Sequence, residues 1–297
     1  MDSSYNRENL FRWCSLDYKE LENHPDRKIK VEINETKKIT MSKIGDMMAD
    51  ELASHNEQGK ITKWVLPAGP MDQFDRFIER VNKEHISCKN LYIFHMDEFL
   101  DWNCRPYPIG DTYESLEGTM NVGFYNRIKP ELTVPLENRF WPRINDIDFC
   151  DKKAEELGGI DTLWAGVGAH GLIAFCESPQ SFTYHVSEHE YVNSLTRIVD
   201  ISEESVIAMA QRTFGACYDR IPPKGITLGF KVMLSAKRAV LMITTGQWKN
   251  TVVRVALFSD PTLEYPVTLL SKYIPDVLLM TDVNTADHPM STEIKGW

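Results

Sequence analysis

Short continuous apolar runs alternate with stretches in which apolar residues recur every three or four positions. The runs Lys63–Pro67, Asn90–Met96, Leu163–Val167, Arg238–Thr245 and Val277–Met280 have the length and the polar boundaries of buried strands. Between them, Ile44, Met47, Met48 and Leu52 predict one face of a helix capped by Thr40 or Ser42 and running to about His55. Phe74, Phe77, Ile78 and Val81 predict a second helix, and Val252, Val253, Ala256 and Leu257 a later one. Further helical pattern covers Met120–Ile128, Asp151–Leu157 and a stretch ending through Gln211–Phe214. Thr196–Val199 and Gly225–Gly229 read as shorter strands. Continuous apolar strands alternating with amphipathic helices predict an α/β fold: a doubly wound, mostly parallel, Rossmann-like sheet with helices on both faces.

The two ends of the pattern differ. Residues 1–35 are polar and charged, with Phe11, Trp13 and Tyr18 interspersed. They predict an N-terminal extension that packs on the main body or on a neighbouring subunit, leaving residues 36–297 as a single α/β domain. The stretch Trp102–Gly118 is rich in Pro, Gly and Asp and reads as a long loop.

Four strands end in residues that carry chemistry: Pro67-Ala68-Gly69, Asp97-Glu98, Gly166 to Glu177, and Gly246 to Lys249. In an open parallel sheet these ends gather at one carboxyl edge, where such folds bind ligands. Gly166, Gly168 and Gly171 let the backbone around His170 turn tightly and approach a ligand. Asp97, just past an apolar strand, is placed for partial desolvation, which makes a carboxylate a better proton acceptor near neutrality; the plain alternative is a loop or helix-capping carboxylate. Glu98 reads as structural or solvated. His170 suits a proton shuttle and Glu177 its acid or orienting partner, against the alternative of hydrogen-bonded loop residues. Lys249 opens a helix, where free N–H groups favour anions, and Arg212 would add a fork-shaped donor. Either alone is an ordinary surface cation; together they point to a phosphorylated ligand.

Composition narrows the partners. With 42% hydrophobic and 26% charged residues, the chain has the balance of a soluble globular protein. A net charge of -10 argues against nucleic acid or an anionic membrane as the main partner, though not against a small anion. The six cysteines form no CxxC pair and no metal-ligand spacing, which fits reduced thiols in a cytoplasmic protein; Cys176 beside Glu177 stands out. No signal peptide and no membrane-length apolar run is visible.

Phe94-His-Met-Asp-Glu-Phe99 and Gly166-Val-Gly-Ala-His-Gly-Leu-Ile-Ala-Phe-Cys-Glu177, together with Asn121–Tyr125, Thr196–Ile198, Thr227–Gly229 and Gly246–Lys249, resemble the glucosamine-6-phosphate deaminase/isomerase family. The resemblance runs from about residue 36 to 285 and implies the fold that this family shares with 6-phosphogluconolactonases. It implies that Asp97 moves a proton between C2 and C1 of an open-chain amino-sugar phosphate. It implies that Glu177 assists a ring-opening histidine, and that Arg212 and Lys249 bind the substrate phosphate. Ala68 and Gly69, with Gly168 and Gly171, fall in the loops that would surround the substrate. No metal or other cofactor is implied, and family members are often homo-oligomers. Two departures stand out. The family's ring-opening histidine is Leu172 here, and its carboxylate partner is His170. The first phosphate loop, Leu66-Pro-Ala-Gly-Pro70, lacks a glycine and both threonines of the family's pattern. The expectation is therefore a divergent sugar-phosphate isomerase or deaminase, with a non-catalytic sugar-phosphate sensor on the same fold as the alternative. A lactonase-like hydrolase is disfavoured, since that chemistry also wants the histidine that Leu172 replaces.

Overall fold

The computed structural model describes residues 5–69, 71–179 and 185–292. Its strands are β1 (Lys30–Asn34), β2 (Thr62–Leu66), β3 (Leu91–His95), β4 (Asp97–Leu100), β5 (Arg139–Phe140), β6 (Thr162–Gly166), β7 (Arg197–Asp200), β8 (Lys224–Thr227), β9 (Arg238–Ile243) and β10 (Asp276–Asp282). Seven of them form one sheet in the order β1-β10-β9-β6-β2-β3-β5, and every neighbouring pair is parallel. The doubly wound α/β expectation is met.

The apolar runs are continuous because both faces are covered. Successive side chains of a strand point to opposite faces, so Val65, Leu163, Ala165, Leu241 and Leu279 enter one core while Trp64, Leu66, Trp164, Val240 and Met280 enter the other. The Trp64 and Trp164 rings meet edge to face, with centroids 5.7 Å apart, on the side covered by helices Lys37–Glu57 and Asp72–Glu84. Helix Asn250–Phe258 covers the opposite face. The first of these helices begins earlier than the periodicity suggested. Thr36, not Thr40 or Ser42, is its cap, accepting from the Ile39 N–H, while Thr40 is buried and donates to the Thr281 carbonyl.

Two features were not anticipated. Five residues of the segment read as an extension, Lys30–Asn34, form β1, an edge strand paired with β10, so the sheet begins before residue 36. Upstream of it, helix Arg7–Cys14 packs on the body, with the Trp13 ring 6.2 Å from that of Phe258 and buried Arg254 donating to the carbonyls of Leu16 and Ala286. The second feature is a small antiparallel sheet, β4-β8-β7, in which Asp97 and Arg197 both lie opposite Thr227. It stands beyond the carboxyl ends of the main strands, tied to them by Met96 N–H to Leu66 O and Leu228 N–H to Met96 O.

The chain leaves β2 toward β3 on one side, yet β6 lies on the other side of β2. That reversal opens a crevice at the carboxyl ends of β2 and β6, the place where open α/β sheets hold ligands. Among the described residues, no helix is long and apolar enough to cross a membrane.

Candidate active site

A cavity of about 300 Å³ fills this crevice. Its floor is Pro67, Ala68 and Gly69 after β2, and Gly166 to His170 with Leu172 after β6. Asp97 and Phe99 line it from β4, Met96 from just before that strand, and Trp248 and Lys249 from the turn after β9. Helix Glu203–Thr213 forms one wall. Glu204, Ser205, Ala208, Met209 and Arg212 recur at i, i+4 spacing and so share one face, turned to the cavity.

Asp97 is buried and accepts no hydrogen bond from any described residue. Desolvation pushes its pKa up to about 7, and the charge of Glu98 adds to the rise. Glu98 itself is anchored structurally, as its reading anticipated. Its carboxylate accepts from the N–H groups of Phe99 (2.8 Å), Leu116 (2.7 Å) and Glu117 (2.9 Å), fixing the start of helix Leu116–Gly123 against β4. Asp97 is thus held on a rigid strand by a neighbour that is fully engaged elsewhere.

Lys249 is 5% exposed and forms no ion pair with a described residue. Its ammonium lies 4.8 Å from the centre of the Trp248 ring. Desolvation brings its pKa down to about 7, with Arg212 and Lys37 pushing the same way. Arg212 is exposed at the mouth; desolvation also draws its pKa down, opposed by Asp72. Arg212 and Lys249 thus repel each other at one cavity, and among the described residues no carboxylate pairs with Lys249, which leaves positive charge that favours an anion.

The glycine turn is shaped by close approaches. Gly171 has φ +74°, and a Cβ there would lie 3.1 Å from Tyr265. Gly168 gives room to Leu172, whose Cγ and Cδ2 would stand 2.5 Å from an added Cβ. Leu172 therefore presents hydrocarbon to the cavity in the position where the family pattern has histidine.

His170 lines the cavity, but both ring nitrogens are engaged. Nδ1 lies 2.9 Å from Glu204 Oε2 and Nε2 3.1 Å from Glu264 Oε1, with the Tyr265 ring 4.5 Å away. Glu177 does not line the cavity. Its carboxylate accepts from Ser205 Oγ at 2.7 Å and Ser202 N–H at 3.3 Å, and so supports the start of helix Glu203–Thr213 from behind. The structure thus brings Asp97, His170, Ala68, Gly69, Gly168, Arg212 and Lys249 to one cavity and leaves Glu177 one layer out. Gly171 shapes the turn without lining it. His185 and His189 are exposed and lie outside the cavity, and Pro70 and residues 180–184 fall outside the described residues. All six cysteines are free; Cys176 is buried with its pKa raised by desolvation, which argues against a reactive thiol.

Fold and cavity together define a class: a doubly wound α/β protein with a desolvated carboxyl and two cations lining one cavity at its switch point. No family model matches the chain. It is nevertheless a divergent relative of the glucosamine-6-phosphate deaminases. It is 26% identical over 223 residues to the glucosamine-6-phosphate deaminase of Clostridium perfringens (strain 13 / Type A), covering 73% of this chain and 82% of that protein. It is 29% identical over 205 residues to that of Caenorhabditis elegans, covering 68% and 70%. Among solved structures, a monomeric glucosamine-6-phosphate deaminase matches with a TM-score of 0.71 and 22% identity, covering 87% of this chain and 99% of that one. The 6-phosphogluconolactonase of Trypanosoma cruzi matches with a TM-score of 0.62 and 17% identity, covering 90% and 99%. These structural likenesses establish the shared fold.

Proposed function

We propose that the protein is an enzyme acting on a sugar phosphate or amino-sugar phosphate, moving a proton between C2 and C1 of the open chain. One observation carries this reading: Asp97, with a pKa pushed up to about 7, shares a cavity with the cations Lys249 and Arg212. As a carboxylate, Asp97 takes the proton from the carbon next to the carbonyl. The electron pair moves into the C1–C2 bond and the carbonyl oxygen takes a proton, giving an enediol. Asp97 then returns its proton to the neighbouring carbon while the hydroxyl on the first carbon gives up its own proton and becomes the new carbonyl, so that one proton passes between the carbons through Asp97 and one between the oxygens through solvent. A base whose pKa lies near working pH is balanced for both halves of this exchange. Lys249 and Arg212 hold the phosphate at the far end and fix the reacting carbons against Asp97. On an amino sugar the same transfer leads to an imine that water hydrolyses to ketose and ammonia. Kinship with the glucosamine-6-phosphate deaminases supports this substrate class.

The test is deuterium uptake from heavy water at the carbon next to the carbonyl of an open-chain sugar phosphate. Uptake by the wild type that disappears in Asp97→Asn supports the enzyme. A second reading, a sugar-phosphate sensor, draws on Leu172, which cannot transfer a proton, and on Glu177, which lies outside the cavity. Stabilisation of the fold by the ligand with no deuterium uptake favours that reading.

A further inference from the structure

Proton transfer between neighbouring carbons asks for one base at carbon, and the proton exchanged between the two oxygens can pass through water. Opening a sugar ring asks for more. The proton on O1 must leave, the bond from C1 to the ring oxygen must break, and the ring oxygen must gain a proton. That needs a base at O1 and an acid at the ring oxygen, or one group that serves both, besides the base at C2. The cavity supplies the C2 base in Asp97, but the other candidates are committed. His170 has a carboxylate against each ring nitrogen, and Glu204 is one of those carboxylates. Glu177 is bonded to Ser202 and Ser205 behind the wall. Tyr113 is 64% exposed at the mouth, under the guanidinium of Arg220. Leu172 adds hydrocarbon.

We infer that the site acts on phosphate esters that reach it already acyclic, because among the described residues Asp97 is the only carboxyl or imidazole lining the cavity with no side-chain partner, and Lys249 is taken up by the phosphate. This rests on the function proposed above and narrows its substrate class. The phosphate esters it fits carry phosphate on the hydroxyl that would otherwise close a five- or six-membered ring. Ribulose 5-phosphate is such a compound; glucosamine 6-phosphate is not, since its O5 is unsubstituted and closes a pyranose.

Deuterium uptake from heavy water into these two compounds, measured over a series of protein concentrations, tests the inference. With ribulose 5-phosphate the rate should double each time the protein is doubled, and Asp97→Asn should abolish it. With glucosamine 6-phosphate the rate should level off as protein is added, because uncatalysed ring opening then limits the reaction. Rates that rise in proportion to protein with both compounds, or with glucosamine 6-phosphate alone, overturn the inference and leave the proposed function standing. No uptake with either compound overturns the proposed function and the inference with it.

Discussion

Lys249 has a pKa of about 7 in the empty cavity, so anion binding should depend on pH where most lysines are indifferent. The perturbation is a rise in pH from about 7.5 to about 8.5, above the second ionisation of a phosphate ester at about 6, so that the ligand stays a dianion. Over that interval the protonated fraction of Lys249 falls from roughly a quarter to roughly 3%. If the dianion binds only the ammonium form, affinity falls roughly eightfold, about 1.2 kcal/mol. The sign follows from the shift: burial lowers the pKa, a bound dianion raises it again, so binding takes up a proton and weakens as pH rises through the lowered value. The assay is calorimetric titration with glucitol 6-phosphate, a phosphate ester that carries no carbonyl and cannot react. Repeating it in buffers of different ionisation enthalpy reads the proton uptake. Asp97 also gains charge near this pH and would repel the ligand, so the measurement is repeated in Asp97→Asn, where the dependence should persist. In the double variant Asp97→Asn with Lys249→Met, affinity should be weak and nearly independent of pH. An affinity in Asp97→Asn that stays flat across this interval, with no proton taken up, refutes the assignment of Lys249 as the buried anion ligand.

The Asp97→Asn change should also stabilise the fold. Its folded pKa lies above the unfolded value, so ionised Asp97 costs stability that is absent below about pH 4, grows between about 4 and 7 and is constant beyond, on the order of 2–4 kcal/mol at its maximum. Thermal melts of both proteins at pH 4 and at neutral pH should therefore coincide at the first and separate at the second. Leu172→His should make deuterium uptake into glucosamine 6-phosphate rise in proportion to protein; a rate that still levels off would show that ring opening needs more than that one side chain. Gly171→Ala should cost about 1–2 kcal/mol, because φ is +74° and the new Cβ meets Tyr265, and a melting point equal to wild type would contradict that account.

Much of the sheet was legible because its central strands are buried on both faces. Trp64-Val-Leu66 and Leu163-Trp-Ala165 leave no polar position to confuse the pattern. The convergence of strand ends followed from the parallel topology, which is why Ala68, Asp97, His170 and Lys249 were found together. β1 was missed because an edge strand pairs on one side only, and Lys30 and Glu32 keep their charges toward solvent, with Glu32 paired to Lys43. The small antiparallel sheet joins segments more than a hundred residues apart, a pairing that no local pattern announces. The hydrogen bonds that draw Glu177 away from the cavity come from Ser202 and Ser205, and those that occupy His170 come from Glu204 and Glu264. Those partners are set by tertiary packing and could not be read from spacing. The wall residues Glu204, Ala208 and Arg212 did carry a signal, their i, i+4 spacing behind a Ser202 cap, but nothing in it said that the face turns inward rather than outward.

The proposed chemistry depends on Asp97 as a desolvated proton acceptor. The direct measurement is the maximal rate of deuterium uptake against pH, at saturating ribulose 5-phosphate, where the bound phosphate keeps Lys249 charged. The rate should rise with a midpoint near 7, and Glu98→Gln, which removes the charge that adds to the shift, should move that midpoint down. A midpoint near 4, the ordinary range of an aspartate, or a rate that survives Asp97→Asn, would contradict it.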